Sequence, residues 1–268
     1  LMVPDKGDST EKTVFLDERL MNAPILATEQ CREQVVIMGQ VAKSALLDSL
    51  HLLSDYNQKL YDKVEQQEQK LDSMDDALAT ALVKLSAREL RVEESREIFE
   101  LLHVIGDFER IGDHATNLAE SASEMHKNGY RFSEAATNEL TTLFAALTEI
   151  LELTINAFQK NDDQLAGHVE PLEEVIDDLT TEIRNRHIRR LQDGECSIGT
   201  GLVLTDILTN CERVSDHCSN IGVCIIQIRN SAFEVHDYLT ELKSDQSDQA
   251  PSFVKEFNQF HQKYRLEA

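Results

Sequence analysis

Residues 107–118 read D-F-E-R-I-G-D-H-A-T-N-L and residues 210–221 read N-C-E-R-V-S-D-H-C-S-N-I, so that Glu, Arg, Asp, His and Asn recur in place while most other positions exchange like for like. A second pair of segments precedes this one: Val64, Glu65, Glu68 and Asp72 correspond to Val169, Glu170, Glu173 and Asp177. The shift is 103 residues from Glu109 to Glu212 and 105 residues from Glu68 to Glu173, a two-residue difference between the motifs. Internal similarity at a fixed spacing means one structural unit built twice. Any fold proposed for the chain must therefore divide into two like halves.

The punctuation of the chain says what each half is made of. Of 268 residues only 10 are Gly and 4 are Pro, and no proline stands between Pro24 and Pro171. These are the strongest breakers of regular structure, and the text between them separates into long segments of helical period. Helices are expected near 27–55, 58–85, 93–127, 134–160, 163–192 and 201–242. Asn128-Gly129, Ser133-Glu134, Asn161-Asp162-Asp163 and the stretch from Gly194 to Gly201 mark breaks. The fold class is all-α, a tandem repeat of two three-helix bundles with a short extra C-terminal helix. The expected divisions are a connector over 1–26, a first three-helix repeat over 27–130, a second over 131–242, and a linker with a short amphipathic helix over 243–268. The linker is expected from Lys243 to Ser252. After it Phe253, Phe257, Phe260 and Tyr264 form an apolar stripe that docks on the bundle or on a partner.

The charge balance then limits what such a bundle can bind. Asp and Glu number 49 against 26 Lys and Arg, a formal net charge of −23. That deficit leaves no counterion-release footprint for DNA or RNA. It also opposes free phosphate or an acidic membrane surface unless a cation lies between. With 41% hydrophobic residues the chain still buries a core. The five cysteines, Cys31, Cys196, Cys211, Cys218 and Cys224, include no close CxxC pair. They are read as reduced core residues in a cytosolic setting. No run approaches the ~18 apolar residues needed to span a bilayer, and no signal pattern opens the chain. The start at Leu1 rather than Met is read as the start of a fragment, and residues 1–14 as flexible.

Residues four apart share a helix face, so Glu109, Asp113 and Asn117 form one polar stripe and Glu212, Asp216 and Asn220 another. Beside them run seams at alternating spacings of four and three. The first is Leu101, Ile105, Phe108, Gly112, Ala115, Ala119 and Ala122; the second is Leu204, Leu208, Cys211, Ser215, Cys218, Gly222 and Ile225. Such a seam is a packing edge, with small residues where helices approach closely. The carboxylates thus border an interhelical contact, where Glu68 and Asp72 can approach Glu109 and Asp113, and Glu173 and Asp177 can approach Glu212 and Asp216. Like charges at i,i+4 repel, and cations relieve the repulsion. All-oxygen ligand sets suit hard or borderline metals, and several carboxylates together bridge more than one ion. Arg110, Arg213, Asn117 and Asn220 are candidate supporting partners. Solvated carboxylates with Arg salt bridges remain the alternative. His114 and His217 lie ~100° around the helix from the neighbouring Asp, so interhelical hydrogen bonds suit them better than metal. The other histidines show no matched spacing, and Glu100 with His103 makes a single Glu-x-x-His that the second half lacks.

The segments I-G-D-F-E-R-I-G-D-H-A-T-N-L-A-E and L-T-N-C-E-R-V-S-D-H-C-S-N-I resemble the paired E(D)xxxD motif of the PhoU family over about residues 30–240. That resemblance implies a tandem of three-helix bundles and a role in controlling phosphate uptake. It also implies metal ions, held as multinuclear clusters, at Glu68, Asp72, Glu109, Asp113, Glu173, Asp177, Glu212 and Asp216. Iron, zinc, manganese and magnesium are the ions considered. Asp107 is replaced by Asn210 in the second half, and both count among the supporting positions. Residues 15–24, F-L-D-E-R-L-M-N-A-P, followed by Ala27 and Gln30, resemble the connector that joins the membrane part of bacterial sodium/phosphate cotransporters to a PhoU-like C-terminal domain.

The expected function is a metal-binding, non-enzymatic regulatory domain of phosphate uptake, the cytosolic part of a sodium-dependent phosphate transporter. The expected location is cytoplasmic, at the inner face of the membrane if attached to the transporter. Expected partners are the transporter's membrane domain or a phosphate-signalling protein, with phosphate reached through bound metal, a homodimer allowed and nucleic acid excluded. The alternatives are a metal-independent helical adaptor and, less favoured, a carboxylate-bridged metalloenzyme.

Overall fold

In a computed structural model, residues 23–230 and 250–267 are described, and those residues form helices and turns only. The helices are α1 (Pro24–Ser54), α2 (Gln58–Ser86), α3 (Val92–Asn128), α4 (Glu134–Lys160), α5 (Asp163–Ala166), α6 (Val169–Gln192), α7 (Ile198–Asn230) and α8 (Ala250–Lys263). The first three make one bundle; α4, α6 and α7 make its repeat, and α8 packs on α6. Most of the connector expected over 1–26, the end of the sixth helix beyond 230 and the linker up to residue 249 lie outside the described residues.

Local chemistry sets the boundaries. The Asn57 side chain accepts from Lys59 N and Leu60 N to open α2, and the Ser133 side chain accepts from Ala136 N to open α4. Each satisfies amide groups that have no partner inside the helix. Gly129, at φ 69°, closes α3 in the left-handed region, and Asn161 closes α4 at φ 50°. Three expectations need correction. The helix read over 163–192 is two, because Pro171 has no N–H to give the Gly167 carbonyl and its ring would clash there, so the chain breaks at Gly167 and His168. The last helix of the second half begins at Ile198 rather than 201, since Ser197 Oγ accepts from Thr200 N. Gly199 and Gly201 therefore lie within a helix, where a Cβ would stand 2.5 Å from Tyr130 Oη and 2.8 Å from His187 Nε2 respectively. Finally α8 starts at Ala250, with Pro251 in a first turn that tolerates proline.

Every seam residue named above is buried. A Cβ on Gly112 would fall 2.3 Å from Leu71 Cδ1, and one on Gly222 would fall 3.2 Å from Val169 Cβ. Small residues in the seams thus let α2 close on α3 and α6 on α7. One core runs through both halves, from Met38 and Phe108 to Phe158 and Leu204. The Phe108 and Phe158 rings meet edge to face at 6.3 Å across the junction. Contrary to the hydropathy expectation, α1 and α4 each hold an 18-residue window apolar enough to cross a membrane by length and composition, at mean hydropathy 1.2 and 1.3. Half of each window is buried, as suits the first helix of each bundle. Cys196 is also not a core residue; it is half-exposed, and the other four cysteines are buried.

The C-terminal stripe docks on the second bundle. Tyr264 and Leu266 are buried in the core, and Phe257 and Phe260 pack against it. Lys263 Nζ lies 2.5 Å from Glu149 Oε2, a carboxylate to which the Tyr264 hydroxyl also donates.

Candidate metal centres

In the first half the polar edge of α2 meets that of α3. Glu68 and Asp72 descend from α2, Glu109 and Asp113 face them from α3, and Asp75 joins the group. Burial and the charges of Asp113, Asp75 and Asp72 push the Glu109 carboxyl up to about 7, with only Arg110 opposing. Glu68 is raised by burial and then by Asp72, Asp113 and Glu65; Asp75 is raised by burial, Asp76 and Asp72. These carboxylates feel one another, the property that favours either protonation or a cation.

Among the described residues only the second half brings three such carboxylates to metal-ligating spacing. Glu173 and Asp177 of α6 and Asp216 of α7 each place an oxygen within 4.8 Å of the others. Glu170, Glu173 and Glu174 form an overlapping group on α6 at the same spacing, and the Ser219 hydroxyl donates to Glu170. Glu212 stands apart from the trio, with Arg184 Nη2 at 3.5 Å from Oε2. Arg213 Nη1 donates to Asp216 Oδ2 at 3.0 Å.

The remaining supporting candidates serve the junction between halves. α3 and α7 cross antiparallel, so that His217 Nδ1 lies 2.9 Å from Asp107 Oδ1 and His114 Nδ1 lies 2.9 Å from Asn210 Oδ1. Asn117 Nδ2 donates to Asn210 Oδ1 at 3.2 Å, and Asn220 Nδ2 to Asp107 Oδ1 at 3.4 Å. The two imidazoles stack at 5.5 Å between centroids, and burial lowers the His114 pKa. Both histidines thus make interhelical bonds, as the helix geometry requires. Glu100 binds Arg32 at 2.6 Å and His103 Nδ1 faces the Phe99 carbonyl, so the single Glu-x-x-His is not assembled.

Comparison of the halves passes over Asp75 and Glu174, and it matches Glu170 without counting it among the ligands. Asp75 aligns with Thr180 and Glu174 with Gln69, so neither repeats as an acid. Glu170 does repeat, as Glu65, and that match was the available signal.

The PhoU domain model matches residues 35–122 and 140–225, one copy on each half. The chain belongs to the PhoU domain family. The phosphate-specific transport system accessory protein PhoU homolog 1 of Thermotoga maritima is 26% identical over 204 residues, spanning 74% of this chain and 87% of that one. The PhoU homolog of Pseudomonas aeruginosa is 23% identical over 219 residues, spanning 81% and 89%. The crystal structure of PhoU from Pseudomonas aeruginosa superposes with a TM-score of 0.72 at 22% identity, covering 79% of this chain and all of that one. A PhoU structure from Streptococcus pneumoniae gives 0.72 at 18% identity, over 79% and 99%. The PhoU repeat thus spans the two bundles and ends before α8, which begins at Ala250.

Proposed function

We propose that this chain is a metal-binding regulatory domain of phosphate uptake, cytoplasmic and non-enzymatic. Its relatives are named phosphate-specific transport accessory proteins, which supports the regulatory role. The observation that carries the metal assignment is the trio Glu173, Asp177 and Asp216, drawn from two helices with oxygens within 4.8 Å of one another; the repeat-related carboxylates of the first half do not converge to that spacing but lie near enough to raise the Glu109 pKa. The donor set fits: an all-oxygen, mutually repelling group suits magnesium, manganese, iron or zinc rather than a thiolate-seeking ion. Glu68, Asp72, Glu109 and Asp113 would hold ions in the first half, and Glu173, Asp177, Glu212 and Asp216 in the second. A bound ion supplies positive charge and a coordination position for phosphate oxygens on an otherwise repelling surface. The protein's part is to hold the carboxylates on two packed helix pairs and to present the bundle to a partner.

That partner, in this proposal, is the membrane domain of a sodium-dependent phosphate transporter. The resemblance of residues 15–24 to a cotransporter connector supports the assignment. Elemental analysis of protein purified without chelator, compared with an Asp113→Ala, Asp216→Ala variant, tests the metal. Wild-type protein retains metal and the variant loses it; equally negligible metal in both would overturn the assignment. In-frame membrane-spanning segments ahead of Leu1 in the gene are expected, and a start codon directly before Leu1 removes the transporter attachment.

A further inference from the structure

The two carboxylate centres differ in a way that the repeat does not carry over. In the first half Glu109 faces Asp113, Asp75 and Asp72, and only Arg110 opposes them. In the second half both α7 carboxylates already face a guanidinium. Arg213 Nη1 donates to Asp216 Oδ2 at 3.0 Å, and Arg184 Nη2 stands 3.5 Å from Glu212 Oε2. Arg184 lies seven residues beyond Asp177 on α6, two turns along the same face, so the helix aims it at the centre. Ala79 takes its place in the first half, and Thr180 stands where the first half has Asp75.

Glu212 is also set apart by position. Glu173, Asp177 and Asp216 bring their oxygens within 4.8 Å of one another, and Glu212 is not in that group. Glu170 and Glu174 crowd Glu173 from α6 itself, so the demand for positive charge persists at the trio. A fourth carboxylate is at hand once Glu212 leaves Arg184. That exchange costs little, because the two side chains are 38% and 40% exposed and ion pairs in such a setting contribute little to stability. The released guanidinium stays tethered beside the centre, with Arg213 on the facing helix. Two planar forks next to a cation match the charge and the oxygens of a phosphate dianion. Without a cation the carboxylates repel that anion and keep both arginines occupied.

We propose that inorganic phosphate binds at the second centre and not at the first, with Glu212 passing from Arg184 to the metal ion and the freed Arg184, together with Arg213, holding the anion on that ion. Because it rests on the metal reading above, phosphate binding should require the ion, and each should tighten the other by the same factor.

Equilibrium dialysis of the full chain with manganese and radiolabelled inorganic phosphate tests this. Asp113→Ala, which keeps the second centre, should hold a single phosphate per chain in manganese and none in chelator. Phosphate should tighten its manganese binding at least about fivefold. Asp216→Ala, which keeps the first centre, should hold manganese and no phosphate. Arg184→Ala added to Asp113→Ala should strengthen manganese binding in the absence of phosphate, since a competing charge is gone, and should abolish the phosphate effect. Should that variant fail to fold, the comparison of Asp113→Ala with Asp216→Ala decides alone. Manganese without phosphate in Asp113→Ala, or phosphate held equally by Asp216→Ala, overturns the proposal and leaves the metal assignment standing. An unchanged phosphate effect in the folded Arg184→Ala variant overturns the role of the arginine. Failure of manganese to bind either single variant overturns the metal assignment and the phosphate site with it.

Discussion

Glu109 and Glu212 hold the same place in the repeat but sit in different fields. Arg184 brings a guanidinium to within 3.5 Å of Glu212, whereas the matching position before Glu109 is Ala79. Glu109 faces Asp113, Asp75 and Asp72, and its carboxyl is raised to about 7. The sign of the consequence follows from proton linkage. Between the ordinary carboxylate range and about pH 7 the folded chain keeps a proton that the unfolded chain has released, so metal-free stability falls as pH rises through that window. In chelator, the melting temperature should drop from about pH 5 to about pH 8, and Glu109→Gln should flatten the drop. At the upper pH the variant should melt higher, since about 1 kcal/mol moves the melting temperature by roughly 2–4 °C in a chain of this size. A parallel pH profile in wild type and variant would exclude Glu109 as the source. The motif residues were legible because they repeat, and Asp75 was not, because Thr180 stands opposite it. The Arg184 partnership was invisible for a different reason: it joins residues 28 apart on neighbouring helices, and no local spacing encodes that.

At the scale of helices, the seams were readable because buried positions obey one period and every tight crossing needs a small residue. Gly112 lets Leu71 lie against α3. Gly112→Ala should cost about 1–3 kcal/mol by overpacking, read as a lower denaturant midpoint at unchanged slope. Combined with Leu71→Ala, the total loss should be smaller than the sum of the two single losses, whereas simple additivity would place the strain elsewhere. The crossing of α3 and α7 was less legible, since nothing in either helix names its partner. The structure shows two matched bonds there, one to Asp107 and one to Asn210. Asp107→Asn should therefore be mild, because Asn210 already holds the matching histidine at 2.9 Å with a neutral amide. Asp107→Ala strands the His217 Nδ1, 9% exposed overall as a residue, and should cost about 1–3 kcal/mol. Chemical denaturation of both variants checks the order, and equal losses would mean the carboxylate charge, not the hydrogen bond, matters. The break at Gly167 escaped the periodicity because four helical residues precede it in phase.

Across the whole molecule, two like units do not make two melting units, because one core passes through both bundles and α3 packs along α7. Neither half can expose its side of that contact without unfolding the other's support, so metal-free protein should show a single cooperative transition. Metal acts on this one equilibrium. An ion that binds only the folded chain stabilises it by RT ln(1 + [L]/Kd), about 2.7 kcal/mol at a hundredfold excess over Kd. The two centres differ in their fields: Arg110 alone opposes the acids around Glu109, whereas Arg184 and Arg213 compete for Glu212 and Asp216, so the first half should bind more tightly. Titration with manganese should raise the melting temperature in wild type, less in Asp113→Ala than in Asp216→Ala, and not at all in the double variant. Because the core is shared, each single variant should still melt in one step, shifted as a unit. Two resolved transitions with metal at one site would mean that the halves are energetically separate despite their common core. A metal-dependent rise in the double variant would place the ion outside these carboxylates.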